Sequence, residues 1–432
     1  MTLERATLTP RQGLAYGLLG LPLAFVALPL YVLLPNHYAN AFGMPLATLG
    51  AVLLGARLFD AAIDPLLGQW CDRLFARSLR SILAVGAASA VVLALGLAGL
   101  FFPWFTGPQA LVLWALVFLL VTTTAFSQLA IAHQAWGARL GGNELQRGRI
   151  VAWREGCGLA GVVLASVLPG LFGLPVMVAV FVAALALGWL AWTRAPRPEL
   201  AQPAHPSLQP AAGATSLWHP WRSAPFRRLL AVFMLSGIAS AVPATLVLFF
   251  VQDRLLATPA QEPLFLGTYF ICAALAIPLW LKAVAHWGLA RTWLAGMVLS
   301  IAVFASVVLL GVGDIAAFVV VCALSGAALG ADLALPGALL AGVIAAQGDS
   351  GRHEGAYFGW WNFATKLNLA LAAGLALPLL GALGYSPGTR DPEALRTLAW
   401  AYAVLPCALK LMAAGALAFF FVRRSPRAPL PV

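Results

Sequence analysis

Three charged side chains stand at helical spacing inside an apolar stretch: Arg57, Asp60 and Asp64 in GARLFDAAIDPLLGQW. Positions i, i+3 and i+7 share one face of a helix. Two carboxylates one turn apart repel when both are ionised, so one must hold a proton tightly or the pair must capture a cation. Arg57 on the same face suits this, because a fixed positive charge holds one carboxylate ionised and leaves the other to bind the ion. The competing reading is a buried Arg57–Asp60 ion pair that only fixes helix packing. It leaves Asp64 without a task.

The same search finds few other polar groups inside apolar runs. They are Arg154 and Glu155, Asp332, Lys366 and Lys410, with His133, Gln134 and Trp136 together in one run. Lys366 lies too deep to reach water easily and calls for an anionic partner. Arg154 either faces a cavity or snorkels, and Glu155, about 100° around the helix from it, pairs with a loop arginine. Asp332, four residues before Pro336, binds an ion or pairs with Lys366. No role is evident for Lys410. His133 and Gln134 line a cavity or make a helix-packing hydrogen bond.

The elements that must position these groups follow from composition. Hydrophobic residues make up 62% of 432 and charged residues 9%, against roughly 25% charged in a soluble domain. A spanning helix needs about 20 apolar residues, and the sequence offers twelve such stretches. They lie near 13–34, 45–69, 80–102, 109–136, 150–172, 175–193, 227–250, 263–285, 291–311, 315–346, 356–384 and 396–422. The runs are continuous and not alternating, which excludes a β-barrel. The expected fold class is an all-α membrane protein of twelve transmembrane helices. At this depth an unpaired charge costs about 3 kcal/mol or more, so each of those above marks a pathway or a pair.

Basic residues cluster at alternate connections. Nineteen of the 26 lysines and arginines fall on one side, Arg5, Arg73, Arg139, Arg194 and Arg424 among them, against Arg254, Arg390 and Arg396 on the other. The positive-inside rule then places both termini in the cytoplasm of a bacterial-type inner membrane. The net charge of +11 is a topology signal and calls for no nucleic-acid partner. No cleavable signal peptide opens the chain, so 13–34 is expected to stay as a helix. The five cysteines show no CxxC and no pairing pattern. A Pro-, Ala- and Ser-rich stretch from 194 to 226 reads as a cytoplasmic linker. It separates an N-terminal six-helix bundle, 1–193, from a C-terminal one, 227–432, the layout of the major facilitator arrangement. Prolines 22, 29, 169, 243, 278, 336, 378 and 406 interrupt the runs, as expected of helices that kink.

The residues also carry a family likeness. Ala56 to Gly68, A-R-L-F-D-A-A-I-D-P-L-L-G, resembles the second-helix signature of the glycoside–pentoside–hexuronide:cation symporters, the melibiose permease-like family of the major facilitator superfamily. Gly68-Gln-Trp-Cys-Asp72-Arg73 resembles the superfamily loop between helices two and three, without its later glycine. Arg352-His-Glu354-Gly-Ala-Tyr-Phe-Gly-Trp-Trp361-Asn-Phe-Ala-Thr-Lys366 is similar to the family's approach to helix eleven. Gly384-Tyr385-Ser-Pro387 is similar to the motif that ends it, and Trp153-Arg154 with Gly158-Leu-Ala-Gly161 to its fifth helix. The resemblance implies a cation site at Asp60 and Asp64, a conformational loop at Asp72, Arg73, Arg352 and Glu354, and an arginine, Arg154, facing the solute. The family's sugar carriers also have aspartates in helices one and four, where this chain reads GLPLAFVALPLY and Ala130-Ile-Ala-His133-Gln134.

Sugar hydroxyls are usually held by carboxylates beside an aromatic face. With those acids replaced, a cavity of Arg154, Lys366, His133, Gln134, Trp136, Trp361 and Asp332 favours an anionic or amphipathic solute over a sugar. The expectation is a monomeric secondary active transporter in the lipid bilayer, moving a small organic solute by H⁺- or Na⁺-coupled symport with alternating access. The alternatives are a proton-coupled exporter of a lipophilic compound or lysolipid and, in another class, a non-transporting receptor or enzyme. The chain has no Gly-rich phosphate loop, nucleophile elbow or metal-ligand spacing. It is therefore expected not to be an enzyme, to need no cofactor and to bind no metal other than Na⁺ at Asp60 and Asp64.

Overall fold

A computed structural model describes residues 8–105, 107–198, 216–258 and 260–423, the side chains at 46, 373, 375 and 377 excepted. Arg5, Arg424 and Arg427 of the charge pattern, and residues 199–215 of the stretch read as a linker, lie outside the described residues. Within the described residues the chain is helical and contains no strand. Ten long helices follow one another. They are α1 (Pro10–Phe42), α2 (Leu46–Arg77), α3 (Leu79–Phe101), α4 (Pro108–Arg139), α5 (Glu144–Thr193), α6 (Ala224–Arg254), α7 (Glu262–Leu309), α8 (Ile315–Ala346), α9 (Glu354–Ala382) and α10 (Pro392–Val422). All but α2 and α9 are long and apolar enough, by length and composition, to cross a membrane.

Local sequence explains where the helices start and bend. Thr9 caps α1 through a box with Gln12, whose side chain accepts from the Thr9 N–H while Thr9 accepts from the Gln12 N–H. Asn143 and Asp391 cap α5 and α10 in the same sense. Inside α1, Pro22, Pro29 and Pro35 remove backbone donors, and the segment Pro29–Leu33 loosens into a π turn.

Two of the ten rods turn back on themselves. Gly173 in α5 has φ 80° and ψ 173°, and Gly288 in α7 has φ 76° and ψ 170°. That conformation is essentially reserved for glycine. Along a straight helix residues 161 and 188 would stand about 40 Å apart. Here both lie against the same turn of α1: a Cβ on Gly161 would come 2.1 Å from the Leu21 oxygen and one on Gly188 3.0 Å from Leu19 Cα. The arms of α7 likewise meet one stretch of α8. Trp280 Nε1 donates to the Ala327 carbonyl at 2.7 Å, and a Cβ on Gly296 would lie 2.6 Å from that of Ala331.

The chain divides into two compact units, Met1–Ser223 with Ala341–Phe363, and Ala224–Leu340 with Ala364–Val432. The first packs Trp136 and Trp192 edge to face at 5.3 Å, with Phe75 against Trp136. The second centres on Phe250 stacked on Tyr402 at 4.4 Å, with Phe318 beside both.

Candidate functional site

In the first unit, α2 carries Asp60 and Asp64 inward, 1% and 0% exposed. Asp60 Oδ1 accepts from the Ser127 hydroxyl of α4 at 2.8 Å. Arg57 remains exposed and lays its guanidinium over the Tyr31 ring of α1, 4.3 Å from the centroid. The Tyr31 hydroxyl lies within electrostatic reach of Asp60, Arg57 and Asp64. Pro65 has no N–H to give the Ala61 carbonyl, so an oxygen next to Asp60 loses its helical donor. Carboxylates, a hydroxyl and a released carbonyl are the oxygen donors a hard monovalent cation or a proton relay uses. Beside Ser127, the Gln128 amide is 3% exposed and has no hydrogen-bond partner among the described residues. These α4 groups are not among those singled out from the sequence, although the polar side chains of Thr122, Thr123, Thr124, Ser127 and Gln128 stand close together in an apolar run.

Further along α2, Asp72 anchors a second constellation, in which α9 starts. Its carboxylate accepts from the N–H groups of Gly355 at 2.7 Å and Ala356 at 2.8 Å, satisfying two of the donors that a helix N-terminus leaves unpaired. Arg139, the last residue of α4, bridges Asp72 at 2.9 Å and Glu354 at 3.1 Å, with all three side chains 1% exposed. It also donates to the Gly351 carbonyl and covers the Phe75 ring. Arg73 and Arg352, the cations singled out in the sequence motif, are exposed. Arg139 takes the buried place because it ends a helix beside Asp72.

Glycine makes this approach feasible. A Cβ on Gly68 would sit 2.2 Å from the Gly355 oxygen, and one on Gly355 2.3 Å from the Gly68 oxygen and 2.8 Å from Asp72 Oδ1. Gly355→Leu is expected to force α2 and α9 apart and to lower the unfolding midpoint, at an overpacking cost of about 1–3 kcal/mol before the lost hydrogen bonds are counted. Gly55→Ala, in α2 with open space around it, should not lower the midpoint and, as a better helix former, should if anything raise it.

The other sequence-selected groups scatter. His133 is fully enclosed: a ring nitrogen meets the Tyr16 carbonyl at 2.8 Å, and the Tyr16 hydroxyl donates to the His133 carbonyl at 3.1 Å. This is helix packing between α1 and α4. Trp136 is core, its indole N–H given to the Pro196 carbonyl. Gln134 faces Asn362, whose amide donates to it at 2.7 Å. Glu155 pairs with its neighbour Arg154 and not with a loop arginine. Trp361 is 6% exposed in the first turns of α9, and Lys366, half-buried, lies in the second unit.

The second unit holds a cavity of about 310 Å³. Aromatic side chains wall it, among them Tyr269, Phe270, Phe304, Phe318 and Tyr402, and its polar lining includes Asp332, Lys410, Ser240, Ser300 and Ser325. Lys410 bridges Asp332 and donates to Ser240 Oγ at 2.9 Å; Trp293 Nε1 donates to the other Asp332 oxygen at 2.8 Å. Asp332 therefore pairs with Lys410 of α10 and not with Lys366. Elsewhere in this unit Asp253 accepts from the Tyr385 hydroxyl and the Gly388 N–H and bridges Arg390, which explains the Gly384-Tyr385 motif.

Among the described residues, eight helices long and apolar enough to cross a membrane indicate an integral, multi-pass membrane protein. The chain belongs to the MFS/sugar transport protein family, whose model matches residues 13–424. Comparison with curated proteins gives no match. Solved structures share the fold at low identity. A bacterial homologue of the iron transporter ferroportin, in an outward-facing state, superposes with a TM-score of 0.70 at 14% identity, covering 95% of this chain and 99% of that one. The E. coli fucose:proton symporter gives 0.65 at 16%, covering 95% and 99%. The human organic anion transporter MFSD10 gives 0.62 at 18%, covering 95% and 100%. Fold and family are those of a transporter and not of an enzyme.

Proposed function

We propose that this protein is a secondary active transporter that imports a small amphipathic organic solute together with H⁺ or Na⁺ by alternating access. The observation that carries the reading is the pair Asp60 and Asp64, withdrawn from solvent on one face of α2, with Ser127 hydrogen-bonded to Asp60. Buried carboxylates are expensive at membrane depth, and coupling-ion binding is a task their chemistry fits. Twelve spans follow if α5 and α7 each cross twice about their glycine turns, in two six-helix bundles, 1–193 and 227–432, joined by the 194–226 linker. The excess of basic residues on one side supports a reading with both termini in the cytoplasm and the protein in a bacterial-type inner membrane. The Asp72–Arg139–Glu354 cluster then lies at the cytoplasmic end, where it acts as a latch that opens and closes once per cycle. The protein works as a monomer.

The cavity supports an amphipathic solute. Its aromatic walls suit an apolar body, and the Lys410–Asp332 pair offers both a cation and an anion to a polar head. Proton-coupled transport by one structural neighbour and organic-anion transport by another fit the same picture. The apolar lining also favours a second reading, proton-driven export of a lipophilic compound or lysolipid. Proteoliposomes decide between them. Candidate solutes come from a thermal-shift screen of the purified protein against sugars, carboxylates and lipids, with and without Na⁺, because ligand binding raises apparent stability. An inward cation gradient should drive accumulation of the hit; accumulation only under the opposite gradient would establish export.

A further inference from the structure

We propose that His219, Asp349 and His353 form a site for a borderline divalent metal ion, with Zn²⁺ as the best fit. One ring nitrogen from each histidine and one Asp349 carboxylate oxygen all lie within 4.8 Å of one another. His219 Nε2 is 3.0 Å from Asp349 Oδ1, and the two imidazoles stack at 4.1 Å with 28° between their planes. Nδ1 of His353 is buried and has no hydrogen-bond partner among the described residues. A buried imidazole nitrogen left unpaired costs about 1–3 kcal/mol, and a metal ion is the partner this donor set accepts. Two imidazoles and a carboxylate are zinc ligands, with a fourth position left for water.

The ligands are held ready by their surroundings. The Tyr357 hydroxyl donates to the second Asp349 oxygen at 2.7 Å, the outer hydrogen bond that usually orients a ligating carboxylate. The backbone N–H groups of Arg352 and His353 both reach the Asp349 carbonyl, so the loop before α9 is a closed turn. His219 opens a one-turn helix, His219–Arg222, fixed by Trp218 and Trp221 packed on Trp360, whose indole donates to the Leu217 carbonyl at 3.0 Å. Two arginines lie close enough to oppose a cation. Arg139 is neutralised by Asp72 and Glu354, and Arg352 is exposed, where solvent screens it. The ion would tie the chain just ahead of α6 to the loop just ahead of α9, which sequence separates by 130 residues.

The test uses untagged, full-length protein in detergent. Titration with Zn²⁺ in a calorimeter should show one site per chain and a raised unfolding midpoint. The His219→Ala/His353→Ala variant should lose both, and Tyr357→Phe should weaken binding by about tenfold or more. X-ray absorption on the zinc-loaded wild type reports the ligands without any variant and should show imidazole nitrogen and carboxylate oxygen in the first shell. Absence of a stoichiometric site in the wild type, its survival in the double variant, or a first shell of sulfur or water alone would each overturn the assignment. None of these outcomes bears on the ion coupling at Asp60 and Asp64.

Discussion

Replacing Asp64 with asparagine is expected to abolish concentrative uptake while leaving the protein folded. Each net positive charge carried inward releases about 2.3 kcal/mol per 100 mV, enough to hold a solute about fiftyfold above equilibrium. Without an ionisable group at position 64 the cycle no longer requires the cation, and the accumulation ratio falls to about 1. Downhill exchange of labelled solute should persist, because the cavity with Lys410 and Asp332 belongs to the other unit. In the purified protein, any Na⁺-dependent shift of the unfolding midpoint should vanish with the same substitution. Asp60→Asn tests the partner. It keeps a group able to meet the Ser127 hydroxyl and removes only the charge. Undiminished accumulation by a folded Asp64→Asn protein would remove the basis for coupling at this site.

Lys410→Met is expected to be among the most destabilising single substitutions in the second unit. The Lys410 and Asp332 side chains are 4% and 16% exposed. Removing one partner strands the other charge away from water, at a cost of about 3–5 kcal/mol, whereas replacing both by apolar groups is often neutral or stabilising. The double variant Lys410→Met/Asp332→Leu should therefore unfold near the wild-type midpoint, above Lys410→Met alone. It should at the same time lose the midpoint shift caused by a transported solute. Those two readouts separate a pair that binds cargo from one that only holds α10 to α8. A double variant that is stable and still responds to solute assigns the pair to packing.

What the sequence discloses here divides by range. Solvent class and helical architecture come from local composition, and Gly173 and Gly288 fall in the gaps between neighbouring apolar stretches, 150–172 and 175–193, 263–285 and 291–311. The burial of Asp60 and Asp64 was legible for the same reason: they stand in the middle of an apolar run. Partnerships were not. Ser127 is 67 positions from Asp60 and Arg139 is 67 from Asp72, and nothing in periodicity selects them from the other serines and arginines. Motif likeness drew attention to Arg73 and Arg352, which share the loop with the right residues but face solvent. Of the two partners expected for Asp332, an ion or Lys366, the second is a lysine from the wrong helix, because depth along a helix does not say which helix lies opposite. Lys410 and Ser240 come from segments 78 and 92 positions away from it.

Gly173 and Gly288 each turn the chain within a single residue, so no loop of any length separates the two arms of α5 or of α7. If both arms cross the membrane, as the proposed twelve spans require, neither has a loop to leave behind in water while the other crosses. Each pair would then enter the bilayer as a preformed hairpin, with the emerging second arm packed on the first before either contacts lipid. Under that reading the unit handled by the insertion machinery is the helix pair and not the single span.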